Sequence, residues 1–219
     1  MIPREEITGL VLCGGRGSRM GGLDKGLQLF NGQPLVRTAL QRLAPQVGRL
    51  MISANRHLDQ YAAEGVAVVT DTLPEQPGPL AGLLSGIEHC DTDWLACVPC
   101  DAPWFPLDLV ARLQMAAQAA PAPALAAVAA VAVSGSAHRI QPVFALVHRD
   151  LAARLRDYLA SGERRARGWW DSAQAARAVF EDGPDGRAFH NLNTLDALRA
   201  LDQITPPAPP DAKRAPPLP

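Results

Sequence analysis

Short apolar runs separated by longer amphipathic stretches dominate the first half of the chain. Ile7 to Cys13 (ITGLVLC) is a β-branched and leucine-rich run that stops at glycine, which predicts a buried strand. Three further runs have the same character and also predict strands: Arg49 to Ala54, Val66 to Thr70 and Trp94 to Val98. Apolar runs without polar alternation are typical of strands that are covered on both faces.

Helical spacing of apolar residues occupies the segments between these runs. It covers Pro34 to Leu43, Pro79 to His89 and Leu107 to Ala119, each with a proline at or just before its start. A proline there costs no hydrogen bond, because the first N–H groups of a helix have no partner within it. Strands that alternate with helices predict an α/β fold with a mostly parallel sheet.

The second half of the chain gives weaker patterns. Ala124 to Val133 is rich in alanine and valine, so it predicts either a strand or a buried helix. Gln141 to Val147 predicts a strand, and His148 to Leu159 predicts a helix. Ala188 to Asn193 predicts a last short strand, after which Thr194 can cap a helix that extends to about Gln203.

Proline marks the end of the folded part of the chain. Residues 205–219 (TPPAPPDAKRAPPLP) have a proline density that neither helix nor sheet accommodates. We therefore expect one domain over residues 1–204 and a disordered tail over residues 205–219.

Composition narrows the class of protein. A chain of 219 residues suffices for one α/β domain, and a formal net charge of -1 argues against nucleic acid as a partner. No apolar run approaches the roughly 20 residues that span a bilayer. The N-terminus (MIPREEITG) does not resemble a secretory signal, and four cysteines do not suggest a disulfide scaffold. We therefore expect a cytoplasmic protein that contacts neither nucleic acid nor membrane.

A glycine-rich segment, Leu12 to Gly26 (LCGGRGSRMGGLDKG), follows the first predicted strand. Backbone N–H groups that no side chain obstructs bind phosphate oxygens well. The segment is not a P-loop, which needs Ser or Thr after Gly-Lys, and Met20 replaces the last glycine of a dinucleotide fingerprint. A plain surface loop is the alternative. Arg19 and Lys25 favour a triphosphate, because their charges flank the N–H groups.

The same segment resembles the signature of nucleotidyltransferases that activate a small phosphorylated acceptor with an NTP. Its paired glycines before Asp24-Lys25 are similar to those of the molybdenum cofactor guanylyltransferases, the MobA family. The similarity continues through NGQPL (31–35), ANRH (54–57), PGPLAG (77–82), PCDAP (99–103), ERR (163–165) and NLNT (191–194). The resemblance covers nearly all of the chain except the tail. It implies a Rossmann-like three-layer nucleotidyltransferase fold with a mostly parallel central sheet.

The resemblance also implies a reaction. GTP and molybdenum-bound molybdopterin would give the molybdopterin guanine dinucleotide cofactor and pyrophosphate, with Mg²⁺ as cofactor. The implied catalytic residues are Arg19, Lys25 and Asp101, and Asp101 is the implied metal ligand. The implied GTP-binding residues are Leu12, Cys13, Gly14, Gly15, Lys25, Ser53, Asp71 and Asp101; the implied pterin-binding residues are Arg164, Arg165, Asn191 and Asn193. Other molybdenum cofactor biosynthesis proteins and apo-molybdoenzymes are the implied protein partners.

Several of these residues have a structural alternative. Asp101 could cap the turn DAP, and Asp71 could cap the loop that follows it. Arg164 and Arg165 could belong to a solvated charged loop. Ser53 stands where the family often has asparagine, so a side-chain contact with the nucleotide is open at that position.

Cys97 and Cys100 form a C-x-x-C pattern, which occurs in redox pairs and in zinc sites. A zinc site would need further ligands, and Cys13 and Cys90 do not form a second close pair. Cysteine is also a common small buried residue, so we expect both side chains to be packed in the core.

Two other functions are compatible with the sequence. One is a related transferase: a molybdopterin cytidylyltransferase, or another sugar- or polyol-phosphate nucleotidyltransferase. The other is a non-catalytic nucleotide-binding carrier of the cofactor. Lys25 and Asp101 argue against the carrier, because binding alone does not require a metal-binding aspartate.

Overall fold

A computed structural model describes residues 1–13, 23–73, 78–120, 124–134, 137–181 and 187–192. The strands are β1 (Ile7–Leu12), β2 (Leu29–Phe30), β3 (Gln33–Pro34), β4 (Arg49–Ser53), β5 (Ala67–Val69), β6 (Trp94–Pro99), β7 (Ala126–Ser134), β8 (Ala137–His148) and β9 (Ala176–Phe180). The helices are α1 (Leu35–Leu43), α2 (Leu58–Ala62), α3 (Pro79–His89), α4 (Leu109–Ala119), α5 (Ala152–Ala160) and α6 (Ala166–Ser172). Within this described part, no helix combines the length and apolar character needed to cross a bilayer.

Seven of the described strands form one sheet in the order β5-β4-β1-β6-β8-β7-β9, and β2 pairs with β3 in a separate hairpin. β1 lies between β4 and β6 and pairs in parallel with both. β8 runs antiparallel to β6 and to β7, and β9 pairs in parallel with β7. The sheet is therefore mostly parallel, and the predicted α/β fold is confirmed.

Helices cover both faces of the sheet. The strand β1 contacts both helical layers, since successive side chains of a strand point to opposite faces. Ile7 and Val11 face a core that contains apolar residues of α1 and α4. Leu10 and Leu12 face a second core, to which α3, α5 and α6 contribute. The three predicted layers are confirmed, and burial on both faces explains why the first strand lacks polar alternation.

Some predicted elements have different bounds. The ambiguous segment at Ala124 to Val133 is a strand, β7, and β8 begins before the predicted Gln141. The helix predicted to begin at His148 begins as an α-helix at Ala152, after a 3-10 turn at Arg149–Leu151.

The strand predicted over Ala188 to Asn193 is wrong for its described residues, 188–192. His190 N donates to Arg187 O at 3.0 Å, which closes a turn in place of a strand ladder. Phe189 and Leu192 are buried, so the segment has the apolar pattern of a strand without strand pairing. The predicted cap Thr194, the final helix and the tail lie outside the described residues.

Five of the described strands and α-helices were not predicted: β2, β3, α2, α6 and β9. The α6 helix has seven residues, and its buried side chains Trp169 and Trp170 are adjacent, so it shows no helical period. In β9, one of the exposed positions is occupied by Val179. Because this residue is apolar, the sequence does not show the apolar and polar alternation of a half-buried strand.

Candidate active site

Three strand ends meet at the carboxyl edge of the sheet, where open α/β folds bind ligands. Cys13 N donates to Ser53 O at 2.8 Å, which joins the chain after β1 to the end of β4. Cys100 N donates to Leu12 O at 3.1 Å, which joins the chain after β6 to the end of β1. The backbone of Leu12 and Cys13, predicted to bind GTP, therefore lies between the other two strand ends.

A 3-10 turn at Lys25–Leu27 carries the predicted catalytic lysine. Asp24 caps this turn, because its Oδ1 accepts a hydrogen bond from Gly26 N at 3.2 Å. Its carbonyl oxygen accepts one from Gln28 Nε2 at 2.9 Å. The Tyr61 hydroxyl donates to Asp24 Oδ1 at 2.5 Å. These contacts fix the backbone on both sides of Lys25.

Lys25 and Asp101 form an ion pair across 76 residues of sequence. The Lys25 Nζ lies 3.2 Å from Asp101 Oδ2, and the two side chains are 25% and 13% exposed, respectively. A pair with this exposure is partly shielded from water and is still accessible to a ligand. The structure thus brings together the lysine and the aspartate that the sequence singled out.

The backbone of Asp101 is tied to the last described segment of the chain. Leu192 N donates to Asp101 O at 2.7 Å. Leu192 is fully buried against Phe30 and Leu35, so apolar packing supports this contact. Asn191 precedes Leu192 and is exposed. This predicted pterin-binding residue therefore lies beside the peptide that is bonded to Asp101.

Asp71 lies after β5 at the same edge of the sheet. Its Oδ2 accepts a hydrogen bond from Asn55 Nδ2 at 2.8 Å, and its N–H donates to Asn55 Oδ1 at 2.9 Å. Partial burial raises the pKa of the Asp71 carboxyl, and the hydrogen bond from Asn55 opposes that rise. The two-point contact connects the ends of β4 and β5 and orients the carboxyl group.

Ser53 has a more enclosed position than the other predicted GTP-binding residues that the structure describes. Its residue surface is only 2% exposed. A Cβ atom added to Gly82 of α3 would lie 2.6 Å from Ser53 Oγ, so the hydroxyl packs directly against that helix. Gly82 therefore allows close contact between α3 and β4.

Arg164 and Arg165 lie in the connection between α5 and α6, and both are exposed. The α5 helix follows the end of β8, which pairs with the start of β6. Arg164 Nη1 donates to the carbonyl oxygen of Leu159 at 2.7 Å, near the end of α5. The contact fixes the Arg164 guanidinium against the end of its own helix.

Four predicted site residues lie outside the described part of the chain: Gly14, Gly15, Arg19 and Asn193. Of the remaining ones, Lys25 and Asp101 are in direct contact. Asp71 and Asn191 lie at the same edge of the sheet, Asp71 after β5 and Asn191 beside Leu192, whose N–H donates to Asp101 O.

The C-x-x-C cysteines do not form a joint site. Cys97 belongs to the core on the α3 face, whereas Cys100 belongs to the core on the α1 face. Burial raises the pKa of the Cys97 thiol, and a hydrogen bond with Cys13 together with burial raises that of Cys100. Among the described residues, no three His, Cys, Asp or Glu side chains are clustered in a way that could hold a metal ion.

Sequence reasoning missed Asp24, Tyr61 and Asn55 as parts of this edge. Asp24 is 8% exposed and Tyr61 is fully buried. Both residues act inside the protein, and sequence reasoning searched for residues that contact a ligand. A polar residue next to a candidate catalytic lysine was the one available signal for Asp24. Tyr61 gives no local signal, because its partner lies 37 residues away.

Comparison with known protein families gives a match over most of the chain. Residues 9–178 match the MobA-like NTP transferase domain. The chain is 48% identical over 203 residues to the molybdenum cofactor guanylyltransferase of Ralstonia nicotianae, covering 92% of this chain and 98% of that protein. It is 49% identical over 203 residues to the molybdenum cofactor guanylyltransferase of Bordetella petrii, covering 92% of this chain and 100% of that protein.

Solved structures show the same fold at low sequence identity. Molybdopterin-guanine dinucleotide biosynthesis protein A from Archaeoglobus fulgidus is similar with a TM-score of 0.67 and 17% identity, over 90% of this chain and 97% of that chain. A 4-diphosphocytidyl-2C-methyl-D-erythritol synthase from Anaerococcus prevotii is similar with a TM-score of 0.69 and 11% identity, over 92% of this chain and 96% of that chain. The same fold thus occurs in proteins that are named for different reactions, so the fold alone does not identify the substrate.

Proposed function

Because the chain belongs to the MobA-like NTP transferase family, as its motifs predicted, we propose that it transfers GMP from GTP to molybdenum-bound molybdopterin. The products are the molybdopterin guanine dinucleotide cofactor and pyrophosphate. Relatives at about half identity over nearly their whole length are named molybdenum cofactor guanylyltransferases, which supports this choice of substrates.

The ion pair between Lys25 and Asp101 is the observation that carries the proposal. It places a cation and a hard oxygen ligand within 3.2 Å of each other at the carboxyl edge of the sheet. A pure nucleotide carrier needs phosphate contacts and has no need of a carboxylate in the same place. A transferase needs both, because charge on the phosphates must be neutralised while an anionic acceptor approaches.

The transfer step exchanges one P–O bond for another. An oxygen of the terminal phosphate of molybdopterin attacks the α-phosphorus of GTP, and the bond between that phosphorus and the α,β-bridging oxygen breaks. The electron pair of the broken bond leaves with pyrophosphate. Lys25 neutralises charge that develops on the leaving group, and Arg19 has the same role in this proposal. The protein holds the reactants in line and forms no covalent bond itself.

Family membership implies a metal-dependent reaction on a nucleotide, and we propose Mg²⁺ as the ion. The Asp101 carboxylate fits it, since Mg²⁺ is held by one or two carboxylates together with substrate phosphates and water. Bound there, Mg²⁺ would supply further charge neutralisation at the phosphates. Asp24 differs from Asp101 in that its Oδ1 accepts hydrogen bonds from Gly26 N and from the Tyr61 hydroxyl, so we assign it to holding the backbone around Lys25.

Other residues divide between the two substrates. We propose that Leu12, Cys13, Gly14 and Gly15 line the GTP site and that Asp71 binds the nucleotide. The Cys13 N–H already donates to Ser53 O, so we assign the phosphate contacts to the N–H groups of Gly14 and Gly15. Ser53 contributes through its backbone, since its side chain is packed against α3. The proposed pterin-binding residues are Arg164, Arg165, Asn191 and Asn193. Arg164, Arg165 and Asn191 are exposed, so their side chains are free to contact a substrate, which supports this division.

The proposal also covers the setting of the reaction. Residues 1–204 form one nucleotidyltransferase domain, and the protein acts in the cytoplasm. All four cysteines carry free thiols, which suits a reducing compartment. Proteins that supply molybdenum-loaded molybdopterin, and apo-molybdoenzymes that receive the product, are the partners.

Pyrophosphate release tests the proposal. Purified full-length protein is incubated with molybdenum-loaded molybdopterin and, in turn, GTP, CTP, ATP and UTP, and the dinucleotide is identified by mass spectrometry. We expect pyrophosphate and the guanine dinucleotide in equal amounts with GTP, loss of both on chelation, and recovery with Mg²⁺. A preference for CTP would assign a cytidylyltransferase, and GTP binding without pyrophosphate release would assign a carrier.

Arg49→Ala supplies a matched control. Arg49 pairs with Asp91 at 2.9 Å at the start of β4, on the opposite edge of the sheet. Removing this ion pair should leave the transfer rate unchanged, whereas Lys25→Ala should remove most of it.

A further inference from the structure

We propose that Tyr61 is a positioning residue for Lys25, acting through its hydrogen bond to Asp24. The inference rests on the proposed transfer function, in which Lys25 neutralises charge on the phosphates. It assigns a catalytic consequence to a side chain that no substrate can reach.

Burial excludes direct contact between Tyr61 and a ligand. The residue is 0% exposed and lies on the α2 helix, packed in the core on the α1 face. Its hydroxyl donates to Asp24 Oδ1 at 2.5 Å. Burial raises the pKa of the Tyr61 phenol, so the group stays protonated and can donate this bond. Tyr61 therefore cannot bind a substrate itself, and the contact through which it acts in this proposal is its hydrogen bond to Asp24.

Gly26 leaves the space that the Tyr61 hydroxyl occupies. A Cβ atom on Gly26 would lie 2.5 Å from the Tyr61 hydroxyl oxygen, so a larger residue at position 26 would displace the phenol. Gly26 N also donates to Asp24 Oδ1, at 3.2 Å. Two donors thus converge on one oxygen of a buried carboxylate, and a buried carboxylate is tolerated only when such donors satisfy it.

Lys25 is the residue between these two anchors. Asp24 precedes it and Gly26 follows it, so the hydrogen bonds to Asp24 Oδ1 determine where the lysine backbone lies. Without the Tyr61 hydroxyl, Asp24 Oδ1 loses one of its two described donors, and the carboxylate gains by turning towards water. Such a rotation releases Gly26 N and moves Lys25 relative to Asp101. Misplacing a catalytic group by about 1 Å costs on the order of a hundredfold in rate, so a partial displacement should cost about tenfold.

Tyr61→Phe removes the hydroxyl and retains the ring. Thr8→Val is the matched control, because it also deletes one buried hydroxyl. Thr8 Oγ1 lies 2.7 Å from Thr92 Oγ1 near the amino end of β1, away from Lys25. Both variants are assayed for GTP-dependent pyrophosphate release, alone and in a Lys25→Ala background.

We expect Tyr61→Phe to lower kcat about tenfold while KM for GTP changes less than about twofold, and Thr8→Val to keep the wild-type kcat. In the Lys25→Ala background, Tyr61→Phe should lower kcat no further, because the residue it positions is gone. The inference is overturned if Tyr61→Phe keeps kcat within twofold of wild type. It is equally overturned if the loss is the same in both backgrounds, or if Thr8→Val loses as much.

Hydrogen exchange separates this inference from the proposed function. In the free protein, Tyr61→Phe should speed exchange of the Gly26 and Gln28 amides, and Thr8→Val should not; unchanged exchange refutes the anchoring whatever the protein catalyses. If wild-type protein releases no pyrophosphate with GTP, the proposed function fails and the exchange result still decides the anchoring. Asp24→Asn is the second variant if Tyr61→Phe does not fold, and it should show the same dependence on Lys25.

Discussion

Replacing either partner of the Lys25–Asp101 ion pair should give a folded protein with almost no transferase activity. Lys25→Ala removes the cation, and Asp101→Ala removes the carboxylate 3.2 Å away. Both residues lie at the open edge of the sheet, so neither change creates a cavity in the core. Activity and stability should therefore respond very differently.

The structure sets the two magnitudes. The pair is mostly buried, with 25% and 13% of the side-chain surface accessible. An exposed ion pair contributes about 1 kcal/mol or less to stability and loss of one partner of a fully buried pair costs about 3–5 kcal/mol, so we expect a loss of about 1–2 kcal/mol here. In a chain of this length, each kcal/mol shifts Tm by roughly 2–4 °C. Removing a charge-assisted contact from a transition state costs on the order of a hundredfold to a thousandfold in rate, or about 3–4 kcal/mol. The kinetic effect should therefore exceed the effect on stability.

The assay measures kcat and GTP affinity beside thermal unfolding for each variant, with Arg49→Ala as the control. We expect kcat to fall at least about a hundredfold, GTP affinity to fall less, and Tm to stay within a few degrees of wild type. Raised Mg²⁺ should rescue Asp101→Ala only in part, because a protein ligand is gone. Near wild-type transfer by either variant, or inactivity that merely follows unfolding, would refute the catalytic role of that residue.

Three further predictions follow from other parts of the chain. Truncation after Gln203 should leave Tm and activity nearly unchanged, because the proline density of the segment after it predicts that it supplies no core; a large drop in Tm contradicts this. Asn193→Ala should raise KM for the pterin substrate more than it weakens GTP binding, and equal losses would remove Asn193 from the pterin side. Burial raises the pKa of Asp71 in the folded state, so its contribution to stability is present at acid pH and is lost as pH rises through that pKa. As the pH rises from about 3 to 7, the unfolding free energy of Asp71→Asn should therefore increase relative to that of the wild type. If the difference between the two proteins does not change with pH, the pKa of Asp71 is not raised.

Local sequence determined the parallel half of the sheet and the position of the reactive loop. The runs at β1, β4, β5 and β6 are apolar at almost every position, because each strand is buried on both faces, and this pattern is legible without a partner. The motif around Lys25 and the motif around Asp101 each follow a strand of this group. Since parallel strands end at one edge, the sequence already predicted that these two residues lie on the same side of the protein.

Local sequence failed where an element depends on contacts from elsewhere. The segment 188–192 has buried Phe189 and Leu192 and was predicted to be a strand, yet its described backbone hydrogen bonds are one turn contact, to Arg187 O, and one long-range contact, to Asp101 O. The α6 helix and the β9 strand are too short, or too irregular in their apolar pattern, to be recognised alone. Apolar residues mark a segment as buried. The sequence does not show whether such a segment is packed as an irregular turn or paired as a strand, because both require the same apolar residues.

Only the tertiary structure decided how the site is held together. The bond from Tyr61 to Asp24 spans 37 residues, and the ion pair from Lys25 to Asp101 spans 76. Periodicity and motif spacing describe residues that are close in the sequence. These contacts depend instead on the strand order β4-β1-β6, which places segments that are distant in the sequence side by side. The sequence therefore determined which groups are present at the carboxyl edge. The fold determined the distances and partners among them, because those follow from long-range packing that no local segment encodes.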